Sequence, residues 1–177
     1  MKKIQNYING KFQPPVKGRT LDDINPATGE IIGTVPASTS DDVQQAVDAA
    51  DDARTAWASL TIDERVVWLD KIANSLESQS EKIASLESLD TGKPISLARA
   101  VDAARSVTNF RFFAKFAKDY TDEKFEMEDA VNHVILKPVG IAGLITPWNL
   151  PLYLLSWKIA PAIVMGNTVV AKPSELT

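Results

Sequence analysis

The sequence predicts an α/β fold in which short N-terminal strands precede a series of helices and a parallel sheet begins only late in the chain. Turn residues interrupt short apolar runs before residue 36, which is typical of strands. Between residues 40 and 120, apolar residues recur at spacings of three and four, which is typical of helices. From about residue 133, two apolar runs flank an apolar helix, and this strand–helix–strand order indicates a parallel sheet.

The N-terminal strands are separated by turns that have clear sequence markers. Asn9-Gly10 lies between two short runs at residues 7–12 and predicts a tight hairpin. A second turn is expected over Asn25-Pro26-Ala27-Thr28-Gly29-Glu30, followed by a strand at residues 31–35.

Helices are predicted next. Thr39 or Ser40 can cap a helix whose apolar positions are 43, 46, 47, 50, 53 and 57. Thr61-Ile62-Asp63-Glu64 is a capping box, and helical periodicity continues behind it at the apolar positions Val67, Leu69, Ile72, Leu76, Ile83 and Leu86. The sequence Gly92-Lys93-Pro94 separates this helix from a long one at residues 95–120.

The parallel sheet is predicted in the last part of the chain. Residues 134–136 and 139–145 are expected to be strands, and residues 152–165 are expected to form an apolar helix. Gly166-Asn167 ends that helix, and residues 168–171 have the composition of a buried strand.

Composition excludes several classes of function. The 177 residues are 45% hydrophobic and 24% charged with a net charge of −4, so we expect neither nucleic-acid nor membrane binding. The longest apolar run, residues 159–165, is too short to cross a membrane, and residues 1–3 do not begin a secretory leader. We therefore expect a cytoplasmic protein. The lack of cysteine excludes disulfides, thiolate metal sites and a cysteine nucleophile within these residues.

Asn149 is the first residue that can carry chemistry. Pro147 and Pro151 restrict the backbone on either side of it. An amide at the C-terminal end of a parallel strand lies where open sheets bind ligands, and its N–H can stabilise a developing oxyanion. The alternative is a structural turn amide that bonds to its own backbone.

Lys172 and Glu175 follow the next predicted strand. A lysine there can bond a ribose or phosphate oxygen, and a carboxylate can accept hydrogen bonds from ribose hydroxyls. The alternative is a solvated salt bridge. The sequence contains no GxGxxG turn, so it offers no Rossmann fingerprint for a dinucleotide.

Six segments resemble consecutive motifs of the NAD(P)-dependent aldehyde dehydrogenase superfamily. They are Asn25-Pro26-Ala27-Thr28-Gly29-Glu30, Leu89-Asp90-Thr91-Gly92-Lys93, Ile145-Thr146-Pro147-Trp148-Asn149-Leu150-Pro151, Trp157-Lys158-Ile159-Ala160-Pro161-Ala162, Gly166-Asn167-Thr168-Val169-Val170 and Lys172-Pro173-Ser174-Glu175. Residues 104–114 and 149–155 are similar to the 2-aminomuconate and 2-hydroxymuconate semialdehyde dehydrogenases of that superfamily. The match covers nearly the whole chain but only about the first third of such an enzyme.

The resemblance implies the N-terminal part of the aldehyde dehydrogenase fold. Residues 1–132 would form the N-terminal strands, the helical segment of the cofactor-binding domain and part of the oligomerisation region. Residues 133–177 would form the first strands and helix of a Rossmann-like NAD-binding sheet, and the catalytic domain would be absent.

The resemblance also implies roles around the cofactor. Asn149 resembles the asparagine whose amide forms the oxyanion hole. Lys158 matches a position with a supporting proton-relay role, the alternative being a structural ion pair. The nicotinamide side of the cofactor path would be lined by Ile145, Thr146, Pro147 and Trp148. The adenosine ribose would be held by Lys172 and Glu175, with Pro173 and Ser174 in the same turn. A carboxylate at position 175 repels a 2′-phosphate, which favours NAD over NADP.

The substrate tunnel of such an enzyme would draw on two helices of this chain. By resemblance, its lining residues are Val101, Arg105, Leu150, Tyr153 and Trp157. A buried arginine in an apolar tunnel favours a carboxylate partner, so Arg105 would recognise a semialdehyde that carries a carboxylate. Arg111 lies six residues further along the helix, and for it we favour a structural ion pair.

A cation site is the last implied feature. Asp90 and the backbone of Asp23-Ile24 resemble a monovalent-cation site of some family members, and oxygen ligands suit a hard cation. The alternative for Asp90 is a carboxylate at a helix end. With one histidine and no cysteine, a zinc site is not expected.

Three essential parts of such an enzyme lie beyond Thr177 in the family: the cysteine nucleophile, the glutamate base and the glycine-rich pyrophosphate turn. In a complete enzyme, a cysteine thiolate attacks the aldehyde, Asn149 stabilises the oxyanion of the thiohemiacetal, and NAD accepts a hydride. We expect no turnover from this chain alone.

Two hypotheses therefore remain open. The chain is an N-terminal piece of an aldehyde dehydrogenase, or it is a non-catalytic module that binds nucleotide or associates with a full-length relative. In either case we expect a homo-oligomer or association through an incomplete sheet.

Overall fold

Five short strands begin the computed structural model, which describes residues 2–177. They are β1 (Lys2–Lys3), β2 (Asn6–Ile8), β3 (Lys11–Gln13), β4 (Thr20–Ile24) and β5 (Ile31–Pro36). β5 lies between β1, to which it is parallel, and β4, to which it is antiparallel. β2 and β3 form a separate antiparallel hairpin.

The predicted hairpin and turn are confirmed. Asn9 and Gly10 have φ angles of 50° and 74°, which is the left-handed pair that a two-residue hairpin turn requires. In the second turn, the Asn25 side chain accepts a hydrogen bond from the amide of Ala27 at 2.9 Å. This local side-chain bond mimics a backbone turn and starts the reversal that leads into β5.

Helices follow, as the periodicity predicted. They are α1 (Ser40–Ser59), α2 (Ile62–Ser78), α3 (Ser80–Thr91), the short α4 (Ile95–Leu97), a π-helical segment (Ala98–Ala103) and α5 (Ala104–Asp119). Both capping boxes form: Asp42 accepts from the Thr39 amide at 2.8 Å, and Glu64 accepts from the Thr61 amide at 2.7 Å. These reciprocal bonds satisfy amides that the first turn of a helix leaves free.

One helix boundary differs from the sequence prediction. The periodicity continued from Thr61 to Leu86, but the structure divides this stretch at Gln79, whose φ and ψ are −111° and 11°. The side chains of Ser78 and Ser80 bond to backbone carbonyls of the preceding turn. A serine-rich run offers the backbone such competing partners and weakens the helix there.

The long helix predicted at residues 95–120 is present, but it contains the π-helical segment at Ala98–Ala103. A π turn inserts extra backbone per turn and rotates the helix face that follows it. Phe110 is buried, whereas Phe116 is 55% exposed, because a separation of six residues places the two rings on different sides of α5.

A strand pair was partly missed before the parallel sheet. β6 (Glu123–Glu126) and β7 (Val131–Val134) form an antiparallel hairpin, whereas the sequence predicted only a strand at residues 134–136. Every residue of the two strands is exposed. Without a buried face, the sequence lacks the alternation by which strands are recognised.

The predicted strand–helix–strand unit is confirmed. β8 (Ile141–Ile145), α6 (Pro151–Val164) and β9 (Thr168–Lys172) follow in order, and β8 pairs with β9 in parallel. α6 packs with α2 and α5 around the main core, whose members are Val66, Leu69, Ala73, Val107, Phe110, Ala114, Ala117, Ala160 and Val164. Within residues 2–177, no helix is long and apolar enough to span a membrane.

Candidate functional site

The two loops that carry the candidate residues lie at one edge of the parallel sheet. Ile145 of β8 is paired with Lys172 of β9, so both strands end at the same level. The Thr146 amide donates to the Lys172 carbonyl at 3.3 Å, which extends this pairing by one residue. Asn149 and Glu175 follow within four residues of the paired positions, so the sequence prediction that they share an edge agrees with the structure.

Asn149 lies in the loop between β8 and α6, and its side chain is exposed. Within residues 2–177, the side-chain amide makes no hydrogen bond, whereas the backbone carbonyl accepts one from Lys93 Nζ at 3.4 Å. The alternative role, a turn amide bonded to its own backbone, is therefore not what the side chain does. Its N–H groups remain available to a ligand.

The four residues before Asn149 differ in burial. Thr146 is 3% exposed, and its hydroxyl has no hydrogen-bond partner among the described residues. Ile145 and Trp148 are 70% and 57% exposed, and Pro147 is also exposed. The predicted cofactor path is thus an open surface with one buried, unpaired hydroxyl behind it.

Lys172 and Glu175 form an ion pair, with Lys172 Nζ donating to Glu175 Oε2 at 2.7 Å. The hydrogen bond from Lys172 lowers the pKa of the Glu175 carboxyl, so this group is ionised at neutral pH. Ser174 Oγ accepts from the Leu176 amide at 3.1 Å, and Pro173, which precedes Ser174, is exposed. Both charged side chains are more than half exposed, so this geometry agrees with a solvated salt bridge and equally with an open ribose site.

Lys158 projects from α6 towards the end of β8. Its Nζ donates to the Ile145 carbonyl at 2.6 Å. The alternative considered for it, an ion pair, is not formed with any described carboxylate. The bond instead ties the helix to the last residue of the strand.

The predicted tunnel residues are only partly brought together. The rings of Tyr153 and Trp157 stack with their centroids 5.5 Å apart. Val101 and Leu150 are half-buried. Arg105, expected to be buried, is exposed and makes no ion pair with a described residue, because no part of the described chain covers this face of α5.

Arg111 makes the structural ion pair that was expected. Its guanidinium donates to both carboxylate oxygens of Glu77, at 3.1 and 2.6 Å, and joins α5 to α2.

Asp23 and Asp90 both line a small cavity of about 220 Å³. Burial, followed by the charge of Asp23, raises the pKa of the Asp90 carboxyl to about 6. Ile24, the third residue predicted here, is 52% exposed. The described residues contain no cluster of three or more histidine, cysteine, aspartate or glutamate side chains that could hold a metal, so a cation here would depend on two carboxylates and backbone oxygen.

A groove of about 590 Å³ lies away from the two loops that carry the candidate residues. It is bounded by α1, the β2–β3 hairpin and β9, and Lys172 is the one candidate residue among those that line it. The candidate site is therefore an open edge of the sheet and does not coincide with this groove.

Sequence reasoning missed one charged cluster beside Asn149. Lys93 Nζ lies 3.0 Å from Asp102 Oδ2 and 3.6 Å from Glu87 Oε1. Asp102 is fully buried, and Glu87 is 8% exposed. The available signal was an acidic residue within the apolar stripe of each of two helices, together with a lysine in the break between them.

Comparisons with known proteins agree with the architecture. The model of the aldehyde dehydrogenase family matches residues 12–177. Human 2-aminomuconic semialdehyde dehydrogenase is 48% identical over 176 residues, which are 98% of this chain and 36% of that protein. 2-Hydroxymuconic semialdehyde dehydrogenase of Pseudomonas sp. (strain CF600) is 42% identical over all of this chain and 38% of its own length.

Comparison with solved structures identifies the same family. The NAD⁺ complex of an aldehyde dehydrogenase from Bacillus cereus superposes with a TM-score of 0.94 at 36% identity, over 99% of this chain and 36% of that one. The described residues thus match the N-terminal part of the aldehyde dehydrogenase fold. This chain spans about a third of the length of the relatives that it matches.

Proposed function

This chain belongs to the aldehyde dehydrogenase family, and from that premise we propose that it forms one wall of a site that oxidises an aldehyde to an acid with NAD. In this proposal Asn149 is the oxyanion donor. Lys172 and Glu175 hold the adenosine ribose, within a cofactor path formed by residues 145–148 and 172–175. Lys158 supports the site by fixing the end of β8.

The observation that carries the proposal is the free amide of Asn149 at the edge that also bears Lys172 and Glu175. An amide N–H that the protein leaves unbonded is available when negative charge develops on a carbonyl oxygen. Because the two parallel strands end at one level, the loops that carry this donor and the ammonium–carboxylate pair lie at one edge of the sheet, which is where open α/β sheets bind ligands.

The donors at this edge fit a dinucleotide. The Glu175 carboxylate and Lys172 ammonium suit ribose hydroxyls, and the buried, unpaired Thr146 hydroxyl is available behind the path. Bound NAD would supply the hydride acceptor. Because hydrogen bonding keeps Glu175 ionised, its charge would repel the 2′-phosphate of NADP, and we therefore propose NAD as the preferred cofactor.

The nucleophile must come from outside these residues, because they contain no cysteine. Within the proposed reaction, the Asn149 amide would donate to the aldehyde oxygen as a thiolate adds to the carbonyl carbon. The chain alone would bind the cofactor without turning over an aldehyde.

For the substrate, we propose a semialdehyde that carries a carboxylate. Arg105 is exposed and makes no ion pair with a described residue, so its guanidinium can form a bidentate pair with an anionic group. Val101, Leu150, Tyr153 and Trp157 would form the apolar part of the same tunnel. The names of the two similar semialdehyde dehydrogenases support this substrate class.

We also propose that Asp23, Asp90 and the Ile24 backbone hold a monovalent cation. Burial, and then repulsion from Asp23, raises the pKa of Asp90, and a cation between the two carboxylates would relieve that repulsion. The cavity that both aspartates line has room for one ion.

The division of labour that we propose assigns residues 1–132 to the helical part of the cofactor-binding domain and to oligomerisation, and residues 133–177 to the NAD-binding sheet. α6, in the second segment, shares a core with α2 and α5 of the first, so the two segments pack together. The proposed boundary between them therefore separates two roles and does not separate two folding units.

A titration with NAD and NADP tests the proposal directly. Trp148 and Trp157 lie at the candidate site, so their fluorescence should change on addition of NAD and change less with NADP. The variant Glu175→Gln should narrow that difference, since it removes the repelling charge, and Trp148→Phe should remove much of the signal. Equal responses to both nucleotides would contradict the cofactor assignment, and no response to either would contradict the site.

The second candidate function is a non-catalytic module that binds nucleotide or associates with a full-length relative. The absence of cysteine favours it as a description of these residues taken alone. DNA sequence after codon 177 discriminates between the two: a continuation that encodes a cysteine-bearing remainder favours the dehydrogenase, whereas unrelated sequence favours the module. NADH formation from an aldehyde by the purified 177-residue chain would contradict the non-catalytic module, and also the expectation that these residues alone do not turn over an aldehyde.

A further inference from the structure

The turn after α3 fixes the backbone of Lys93. Gly92 has a φ of 72° and ends the helix, and a Cβ added to it would lie 2.8 Å from Pro26 Cγ. Position 92 therefore requires glycine. The Ser88 hydroxyl donates to the Lys93 carbonyl at 2.7 Å, so the lysine begins from a defined backbone position.

The ammonium of Lys93 is held by three oxygen atoms from different elements. They are Asp102 Oδ2 at 3.0 Å, Glu87 Oε1 at 3.6 Å and the Asn149 carbonyl oxygen at 3.4 Å. The Asp102 and Asn149 oxygens accept hydrogen bonds from the ammonium, whereas Glu87 Oε1 makes only an ion-pair contact and has no hydrogen-bond partner among the described residues. The Lys93 side chain is 11% exposed, and a cation this far from water requires such partners.

The loop of Asn149 has few other restraints. Among the described residues, the bond from Lys93 is the one hydrogen bond made to the backbone of residues 147–149. The flanking bonds are those of Thr146 with Lys172 and of Leu154 with Leu150. The orientation of the Asn149 peptide group therefore depends on Lys93 and on the two prolines.

We infer that Lys93 is a positioning residue for Asn149: Asp102 and Glu87 hold its ammonium, which in turn holds the Asn149 carbonyl and so aims the side-chain amide. This inference rests on the proposed role of Asn149 as the oxyanion donor. It adds a residue that touches neither cofactor nor substrate and acts only through the asparagine. The two carboxylates fix the position of the ammonium group, and the hydrogen bond from the ammonium group restrains the Asn149 carbonyl in the loop.

The test is a measurement of order at Asn149 by NMR relaxation in the 177-residue chain. In the unmodified chain, the Asn149 backbone amide should have an order parameter near the rigid value of about 0.85. The variant Lys93→Met keeps much of the apolar stem but removes the donor, and the order parameter should fall towards about 0.6 or below. The carbonyl carbon shift of Asn149 should change in the same variant.

Lys82→Met is the matched control, because Lys82 is an exposed lysine on α3, the helix that precedes Lys93. It should leave Asn149 unchanged, and both variants should leave the order parameters of the buried Leu69 and Phe110 unchanged. A folded Lys93→Met chain in which Asn149 remains as rigid as before would overturn the inference. Asp102→Asn, which keeps the lysine but removes its closest anchor, should also loosen Asn149.

If the variants do not fold, a measurement on the unmodified chain tests the positioning role of Lys93. A hydrogen-bond scalar coupling between Lys93 Nζ and the Asn149 carbonyl carbon supports the inference, and its absence overturns it. None of these readouts involves nucleotide. If Asn149 does not depend on Lys93 while the chain binds NAD normally, only the positioning role is contradicted. If Asn149 is rigid and depends on Lys93 but the chain does not bind NAD, only the proposed function is contradicted.

Discussion

Glu87 links the stability of this chain to pH through a single buried carboxyl. Burial, and then the charge of Asp102, raises its pKa from 4.5 to about 7, although Lys93 acts in the opposite direction. Between these two values the folded chain binds more protons than the unfolded chain. The free energy of unfolding contributed by this group is therefore greatest at low pH and decreases as the pH rises through the window.

Glu87→Gln should stabilise the chain at pH 8 and have little effect near pH 4.5, because glutamine resembles the protonated carboxyl. A difference of one pKa unit corresponds to about 1.4 kcal/mol, so we expect a gain of about 1–3 kcal/mol at pH 8. Urea denaturation at several pH values measures the difference in the free energy of unfolding between the variant and the unmodified chain.

Glu81→Gln is the control for that substitution, since Glu81 lies on the same helix in an exposed pair with Arg99. It should change the stability by less than about 1 kcal/mol. A loss of stability for Glu87→Gln at pH 8 would show that the ionised carboxylate is favourable, contrary to the expected sign.

At the scale of elements, the face that each helix buries determines much of the core. On α2 the buried apolar positions are Val66, Leu69 and Ala73, at spacings of three and four, whereas Val67 is 52% exposed. The sequence pattern placed Val67 with Leu69 on the apolar side. Periodicity alone does not distinguish Val66 from its neighbour, because both are valines and α5 and α6 decide which one is covered.

Leu69→Ala should destabilise the chain by about 2–5 kcal/mol, because Leu69 is fully buried and alanine leaves a cavity. Val67→Ala is the matched control on the same helix and should cost less than about 1 kcal/mol. Thermal unfolding followed by circular dichroism compares the two. Similar losses for both variants would mean that α2 does not have the observed orientation.

At the scale of the whole molecule, large apolar side chains remain exposed in many elements, and several of them lie at or just after the β6–β7 hairpin. The side chains that are 44–58% exposed there are Phe125, Val131, Val134, Ile135 and Leu136. The register of the hairpin places Phe125 and Val134 on the same face, and neighbouring exposed apolar side chains are typical of an interface. The two-stranded parallel sheet also leaves strand edges unpaired among the described residues.

The chain should therefore self-associate with increasing concentration, and sedimentation velocity should show it. Phe125→Glu places a charge within this apolar surface and should weaken association about tenfold or more, since about 1.4 kcal/mol corresponds to a factor of ten. Lys137→Glu, a charge change at an exposed residue nearby, should have a smaller effect. A monomer at every concentration would contradict the prediction.

The sequence by itself determined the succession of N-terminal strands, helices and parallel sheet, the Asn9-Gly10 turn, the Thr61–Glu64 capping box and the parallel strand–helix–strand unit. Each of these depends on residues close together in the chain, where turn chemistry, capping and periodicity act directly. The motifs also led to Asn149, Lys172 and Glu175, because family resemblance is carried by short contiguous segments.

Only the tertiary structure decided which charges meet and which faces are covered. The approach of Lys93 to Asp102 and Asn149 joins positions up to 56 residues apart, and no local pattern specifies it. The exposure of Arg105 and the π-helical rotation before Phe110 were likewise hidden, because they depend on how α5 packs against its neighbours. Contacts between distant segments follow from packing in three dimensions, for which a single sequence offers no direct signal.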